Sequence, residues 1–126
     1  MPKTLVLLDT NALLMPFQFG INLEKELERL LGGCEIIVLS EVSKEIAKLN
    51  KSRHSKAALR LAAKYRTVEC ESCPSVDAGI QKLAKKTGAV VVTNDRELQK
   101  KIVSDGGRVI SLRGGNHLVM APHGAS

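Results

Sequence analysis

Apolar residues along the chain fall into two alternating patterns: short continuous runs, and longer segments at helical spacing. The runs lie at Thr4 to Leu8, Glu35 to Leu39, Thr67 to Cys70, Ala89 to Thr93 and Val109 to Leu112, and they read as strands. Between them Leu23, Leu27, Leu30 and Leu31 recur at i, i+4, i+7 and i+8, a single apolar helical stripe. Asn22 suits the N-cap of that helix, and Gly32-Gly33 suits its end. Val42, Ile46 and Leu49 make a second stripe, with Ser40 as the expected cap. Leu59, Leu61, Ala62 and Ala63 make a third, after a basic stretch from Lys48 to Lys56. Val76, Ile80, Leu83 and Ala84 follow Pro74-Ser75 and stop at Gly88, while Leu98 and Ile102 stop at Gly106-Gly107. Continuously apolar strands separated by amphipathic helices are the pattern of a parallel sheet covered on both faces. The expected fold is α/β, a three-layer α/β/α sandwich with a mostly parallel central sheet. Residues 113–126, rich in Gly, His and Pro, are expected to add a short edge strand at His117 to Met120 and then a flexible tail.

Length and composition narrow this picture. A chain of 126 residues suits one domain spanning 1–126, with no repeat, linker or low-complexity block. Aromatic residues make up only 2%, so the core is aliphatic, and the composition argues against aromatic base-stacking platforms as the means of holding nucleic acid. The net charge of +6 favours a polyanionic partner. No signal-like segment and no apolar run of membrane-spanning length occurs, which leads to the expectation of a cytoplasmic location.

Ligands of open parallel α/β sheets bind beyond the carboxyl ends of the strands. Asp9 ends the first strand, in Leu7-Leu8-Asp9-Thr10-Asn11, and Asp95 follows the fourth, in Val92-Thr93-Asn94-Asp95-Arg96-Glu97. Either residue is equally readable as a helix N-cap. Glu45 precedes Ile46 and, at about 100° per residue, borders the apolar stripe of its helix, where an unpaired carboxylate is costly. Asp77 opens the helix of Val76 and Ile80, where an acid also complements the helix dipole. Four acids at one sheet edge repel one another unless a multivalent cation lies among them. Hard oxygen donors without Cys or His suit Mg²⁺ or Mn²⁺. An acidic metal cage on a basic protein points to phosphodiester chemistry, with basic residues holding the flanking phosphates.

These residues, in this order, resemble the PIN-domain family. The likeness runs from Leu5 to about Leu112. It is carried by Leu8-Asp9-Thr10-Asn11, by Ser40 to Leu49 with its Glu45, by Val76-Asp77-Ala78-Gly79-Ile80, and by Val92 to Leu98. The resemblance implies a metal-dependent endoribonuclease acting on RNA, with Asp9, Glu45, Asp77 and Asp95 as catalytic metal ligands and frequent homodimers. Asn11 and Thr93 would orient carboxylates or water, with Glu97 as an accessory acid. Lys48, Lys51, Arg53 and Arg96 would contact RNA. The Thr93-Asn94-Asp95-Arg96 and Glu45 to Leu49 runs look closest to archaeal PIN proteins similar to the nuclease of small-subunit rRNA processing, with ribosome-assembly partners. Toxins of VapC type, paired with an antitoxin, share the same acids.

Two other classes compete. A non-catalytic RNA-binding or assembly module has no need of mutually repelling carboxylates. A phosphorelay receiver wants an acidic pair after the first strand and a strand-end lysine, neither of which is present. The Cys70-Glu71-Ser72-Cys73 pair lacks the further ligands of a zinc site, and it leaves open a redox role or a structural disulfide. His54 reads equally as an RNA contact or as a solvated helix start, and His117 and His123 carry no legible role.

Overall fold

The computed structural model describes residues 3–49, 53–70 and 72–122. In chain order they form β1 (Thr4–Leu8), α1 (Thr10–Phe19), α2 (Leu23–Leu31), β2 (Cys34–Leu39), α3 (Ser40–Lys48), α4 (Arg53–Ala62) and β3 (Arg66–Val68). There follow α5 (Val76–Thr87), β4 (Val90–Val92), α6 (Arg96–Ser104), β5 (Val109–Arg113) and β6 (His117–Ala121). The sheet order is β3-β2-β1-β4-β5-β6, parallel throughout except for the antiparallel β5–β6 pair. The expected α/β sandwich is the observed fold.

The chain runs outward from β1 through β2 to β3, then returns to the other side of β1 to lay down β4 and β5. Right-handed crossovers therefore place α1 to α4 on one face and α5 and α6 on the other. The packing agrees, since α1, α3 and α4 contact one another and α5 contacts α6. The core is aliphatic: Val6, Leu7, Leu8, Val90, Val91 and Val92 are fully buried in the central strands.

All five expected helices sit where the stripes place them, and α1 is added. Its Ala12, Leu13, Leu14 and Met15 are consecutive and all buried, so it shows no stripe, as expected for a helix covered on every side. Pro16 lies inside it, which further hides the helix from a sequence reading. Asn22 caps α2 through Lys25 N, and Gly88 ends α5 at φ +75°, in the left-handed region that favours glycine. Ser40 is not a cap. Leu39 holds that position with no side-chain bond, because β2 runs straight into α3, and the Ser40 hydroxyl instead donates to Glu41. The third strand is Arg66–Val68 and stops short of Cys70. Residues 50–52 and 123–126 lie outside the described residues. They include Lys51, His123 and most of the expected tail.

Candidate active site

The sheet reverses its winding between β1 and β4, and such a switch point is where open α/β sheets hold ligands. Asp9 follows β1 and Asp95 follows β4 by a short turn, so the two acids come from the two strands flanking that crevice. The strand ends are stitched together, since the Asp9 amide donates to the Val92 carbonyl at 3.3 Å.

Both aspartates are helix N-caps. Asp9 Oδ1 accepts from Ala12 N at 2.8 Å, and Asp95 Oδ1 accepts from Glu97 N at 2.9 Å and from Leu98 N at 3.3 Å. The capping reading is therefore correct for each, and it does not exhaust them, because these caps use Oδ1 alone. Asp9 is 5% exposed. Burial pushes its carboxyl up to about 6, against the lowering effect of hydrogen bonds from Thr93 and from the Ala12 amide. The negative charges of Asp77 and Asp95 raise it further. Asp77, on the first turn of α5, is also raised, by burial first and then by Asp95 and Glu45, with Lys101 acting in the opposite direction. All four expected acids thus share one electrostatic field, with Asp77 coupled to each of the other three.

Glu45 departs from its expected setting. It is exposed, not half-buried, and it is held from outside the stripe by the Thr10 hydroxyl, which donates to Oε1 at 2.6 Å. Thr10, 8% exposed, is a site residue that sequence reasoning passed over in favour of Asn11. Asn11 is exposed on α1 and has no hydrogen bond to the acids among the described residues. Thr93 is fully buried. Its hydroxyl donates toward Asp9 and accepts from the Asp95 amide at 3.0 Å, bridging the two strand ends. Gln99 Nε2 donates to the Thr93 carbonyl at 3.0 Å, and Asn94 Oδ1 accepts from Leu112 N at 2.9 Å, anchoring this turn to α6 and β5. Glu97 is exposed in the first turn of α6, beside the exposed Arg96. Lys48 ends α3, Arg53 opens α4, and both are exposed; Lys51 is outside the described residues. Lys101, the cation that acts on Asp77, gave no signal in the sequence beyond its charge.

Among the described residues, no three His, Cys, Asp or Glu side chains form a group that could hold a metal ion as they stand. The fit to a divalent cation is one of charge and donor type. The acids are hard oxygen donors, and the carboxyls of Asp9 and Asp77 are raised.

Cys70 and Cys73 are paired as a disulfide, and Cys34 is a free thiol. The pair lies against α5. A Cβ built on Gly79 would stand 3.2 Å from Cys73 Sγ, 3.2 Å from Leu39 Cδ1 and 3.4 Å from Cys70 Sγ. The absence of a side chain at Gly79 lets α5, and Asp77 with it, seat closely on this end of the sheet.

A switch point with Asp9 and Asp95 at neighbouring strand ends, and Asp77 acting on both, defines a class of acidic-site α/β proteins. The profile of a PIN like domain matches residues 6–115, and the chain belongs to that family. It is 31% identical over 114 residues to Ribonuclease VapC4 of Methanocaldococcus jannaschii, covering 83% of this chain and 87% of that protein. It is 30% identical over 99 residues to Ribonuclease VapC9 of Archaeoglobus fulgidus, covering 74% and 71%. The fold matches the PIN domain endonuclease Utp24 with a TM-score of 0.79 over 93% of this chain and 90% of that one, at 22% identity.

Proposed function

We propose that this chain is a divalent-metal-dependent endoribonuclease that hydrolyses RNA phosphodiester bonds, working in the cytoplasm. The observation that carries the reading is the coupling of Asp9, Glu45, Asp77 and Asp95 in one field at the switch point. A scaffold protein gains nothing from that repulsion. The ribonuclease names of the two relatives support the same reaction.

Asp9, Glu45, Asp77 and Asp95 would hold Mg²⁺ or Mn²⁺. When bound, the ion supplies Lewis acidity that activates water and offsets charge on the scissile phosphate. Thr93 fixes the Asp9 carboxylate by donating to it and fixes the Asp95 backbone by accepting from it. Thr10 holds Glu45 in one orientation. The helix caps set the remaining geometry, so both aspartates are oriented before any ligand arrives.

Incubation of the protein with single-stranded and structured RNA, in Mg²⁺, Mn²⁺ or EDTA, tests the reading. Cleavage that requires metal and is lost in Asp9→Asn is the expected result. Metal-independent cleavage, or full activity in Asp9→Asn, would rule the mechanism out. RNA binding that survives Asp95→Asn with no cleavage by the wild type would instead identify an assembly module.

Two biological settings remain distinct. The VapC relatives favour a toxin that works opposite an antitoxin partner. The motif-level likeness of Thr93 to Arg96 and of Glu45 to Leu49 favours rRNA processing. Growth arrest on expression, relieved by a co-expressed neighbouring protein, selects the first; accumulation of unprocessed rRNA on depletion selects the second.

A further inference from the structure

α5 and α6 cover one face of the sheet over β1, β4 and β5, while the outer strands β2 and β3 extend beyond α5. Between α5 and that extension lies a groove of about 340 Å³, at the low end of ligand pockets of roughly 300–1,000 Å³. The partly exposed Leu83 supplies its apolar surface, with the buried Leu39 beneath, and Lys82 and Lys86 line its helix side. The groove opens at the carboxyl edge of the sheet, where Glu69 and Cys70 follow β3. Gly79, in its wall, is two residues beyond Asp77 on α5, and Leu39 is the last residue of β2.

Four basic side chains among the described residues are matched to acids, in Arg29–Glu26, Lys44–Glu41, Lys64–Glu24 and Arg66–Glu35. Among the described residues, Lys82 and Lys86 enter no such pair, and at i and i+4 their Cβ atoms stand about 5–6 Å apart on one face. Glu69 is the one acid lining the groove, against two lysines.

We propose that this groove is a substrate subsite. It receives a nucleotide of single-stranded RNA flanking the scissile bond, with Lys82 and Lys86 on consecutive phosphates and the base against Leu83. The subsite rests on the ribonuclease reading and adds a positioning surface on α5 that Lys48, Lys51, Arg53 and Arg96 do not describe. With almost no aromatic side chains in the chain, an aliphatic wall is what it offers a base.

The test compares wild type, Lys82→Ala/Lys86→Ala and the control Lys25→Ala/Lys56→Ala, whose exposed lysines lie on α2 and α4 across the sheet and remove the same charge. Equilibrium binding of a labelled single-stranded RNA is measured over a salt series, and cleavage of the same RNA is measured with Mg²⁺. The groove variant should bind roughly tenfold more weakly, and its log–log salt slope should be shallower by about 1.4. Its loss in cleavage should fall more on KM than on kcat, with the control near wild type. Equal losses in both variants would reduce the effect to net charge and overturn the subsite. An active wild type with an unchanged groove variant would overturn the subsite and leave the ribonuclease reading standing. A wild type that neither binds nor cleaves RNA would remove both.

Discussion

Asp9 and Asp95 have nearly the same local structure and very different surroundings. Each follows a parallel strand, each caps the next helix through Oδ1, and the two strands are neighbours. Asp9 leads into α1, a helix buried along its first turns between the sheet, α3 and α4. Asp95 leads into α6, whose Arg96, Glu97, Lys100 and Lys101 face solvent. The cap geometry is a local matter of one carboxylate and two or three amides. The cost of the charge is a tertiary matter, and it falls on Asp9, whose carboxyl is pushed up to about 6. A single motif thus yields one carboxylate under electrostatic tension and one in contact with water. The tension at Asp9 is what a bound cation would relieve.

The largest expected effect comes from Asp9→Asn. Asparagine caps a helix as well as aspartate does, so the fold is retained. Cleavage should fall on the order of 10²-fold or more, since even outer-shell groups of metal sites are worth 10–100-fold. Metal-free stability at pH 7 should rise instead. The shift from 3.8 to about 6 corresponds to at most about 3 kcal/mol. The sign follows from a raised acid: between pH 4 and 6 the folded chain binds more protons at Asp9 than the unfolded chain does. Stability from this group therefore falls as pH rises through that window and is level above it. Urea unfolding in EDTA across pH 4 to 8 checks this, and a wild-type-minus-variant difference with no slope between pH 4 and 6 would contradict it.

Asp95→Asn sharpens the contrast. Activity should again fall on the order of 10²-fold. Stability should stay within about 0.5 kcal/mol, because the cap is preserved and the residue is half-exposed. Matching stability gains in both variants would erase the distinction between the two strand ends.

Thr93→Val tests the bridge between them. It strips the donor from Asp9 and leaves the Asp95 amide without its side-chain acceptor, at an expected cost of about 1–3 kcal/mol. It should also move the pH-dependent window of Asp9 upward. Thr93→Ser, which keeps the hydroxyl, should recover most of the loss.

The smallest effect is expected at the rim. Thr10→Val frees Glu45 from its 2.6 Å hydrogen bond and should lower cleavage roughly tenfold, with Thr10→Ser close to wild type. An unchanged rate in Thr10→Val would mean that Glu45 needs no positioning.

Much of this was legible in the chain. Periodicity located the strands to within a few residues and located every helix whose apolar residues form a stripe, because a half-buried element carries its burial pattern in sequence. It missed α1, whose burial on all sides leaves no pattern. Strand-end logic picked out Asp9 and Asp95. Glu45 was singled out by a stripe-border argument, yet its side chain is exposed and is held by Thr10, a partner 35 positions away. No one-dimensional period encodes such a partner. Asp77 had the weakest sequence argument, yet its carboxyl is raised by Asp95 and Glu45 as well as by burial, and its charge in turn raises Asp9.

The sequence by itself determined the element types, the aliphatic core and the parallel α/β class, since each depends on residue type and spacing within one segment. The tertiary structure decided that β1 and β4 are neighbours at the switch point, that Thr10 and Thr93 hold the carboxylates, and that Asp9 alone of the two capping aspartates is buried. It also decided that α5 leaves a lysine-lined groove along its β2 side. These follow from strand order and crossover hand, which bring distant segments together, and the cost of a charge depends on what surrounds it.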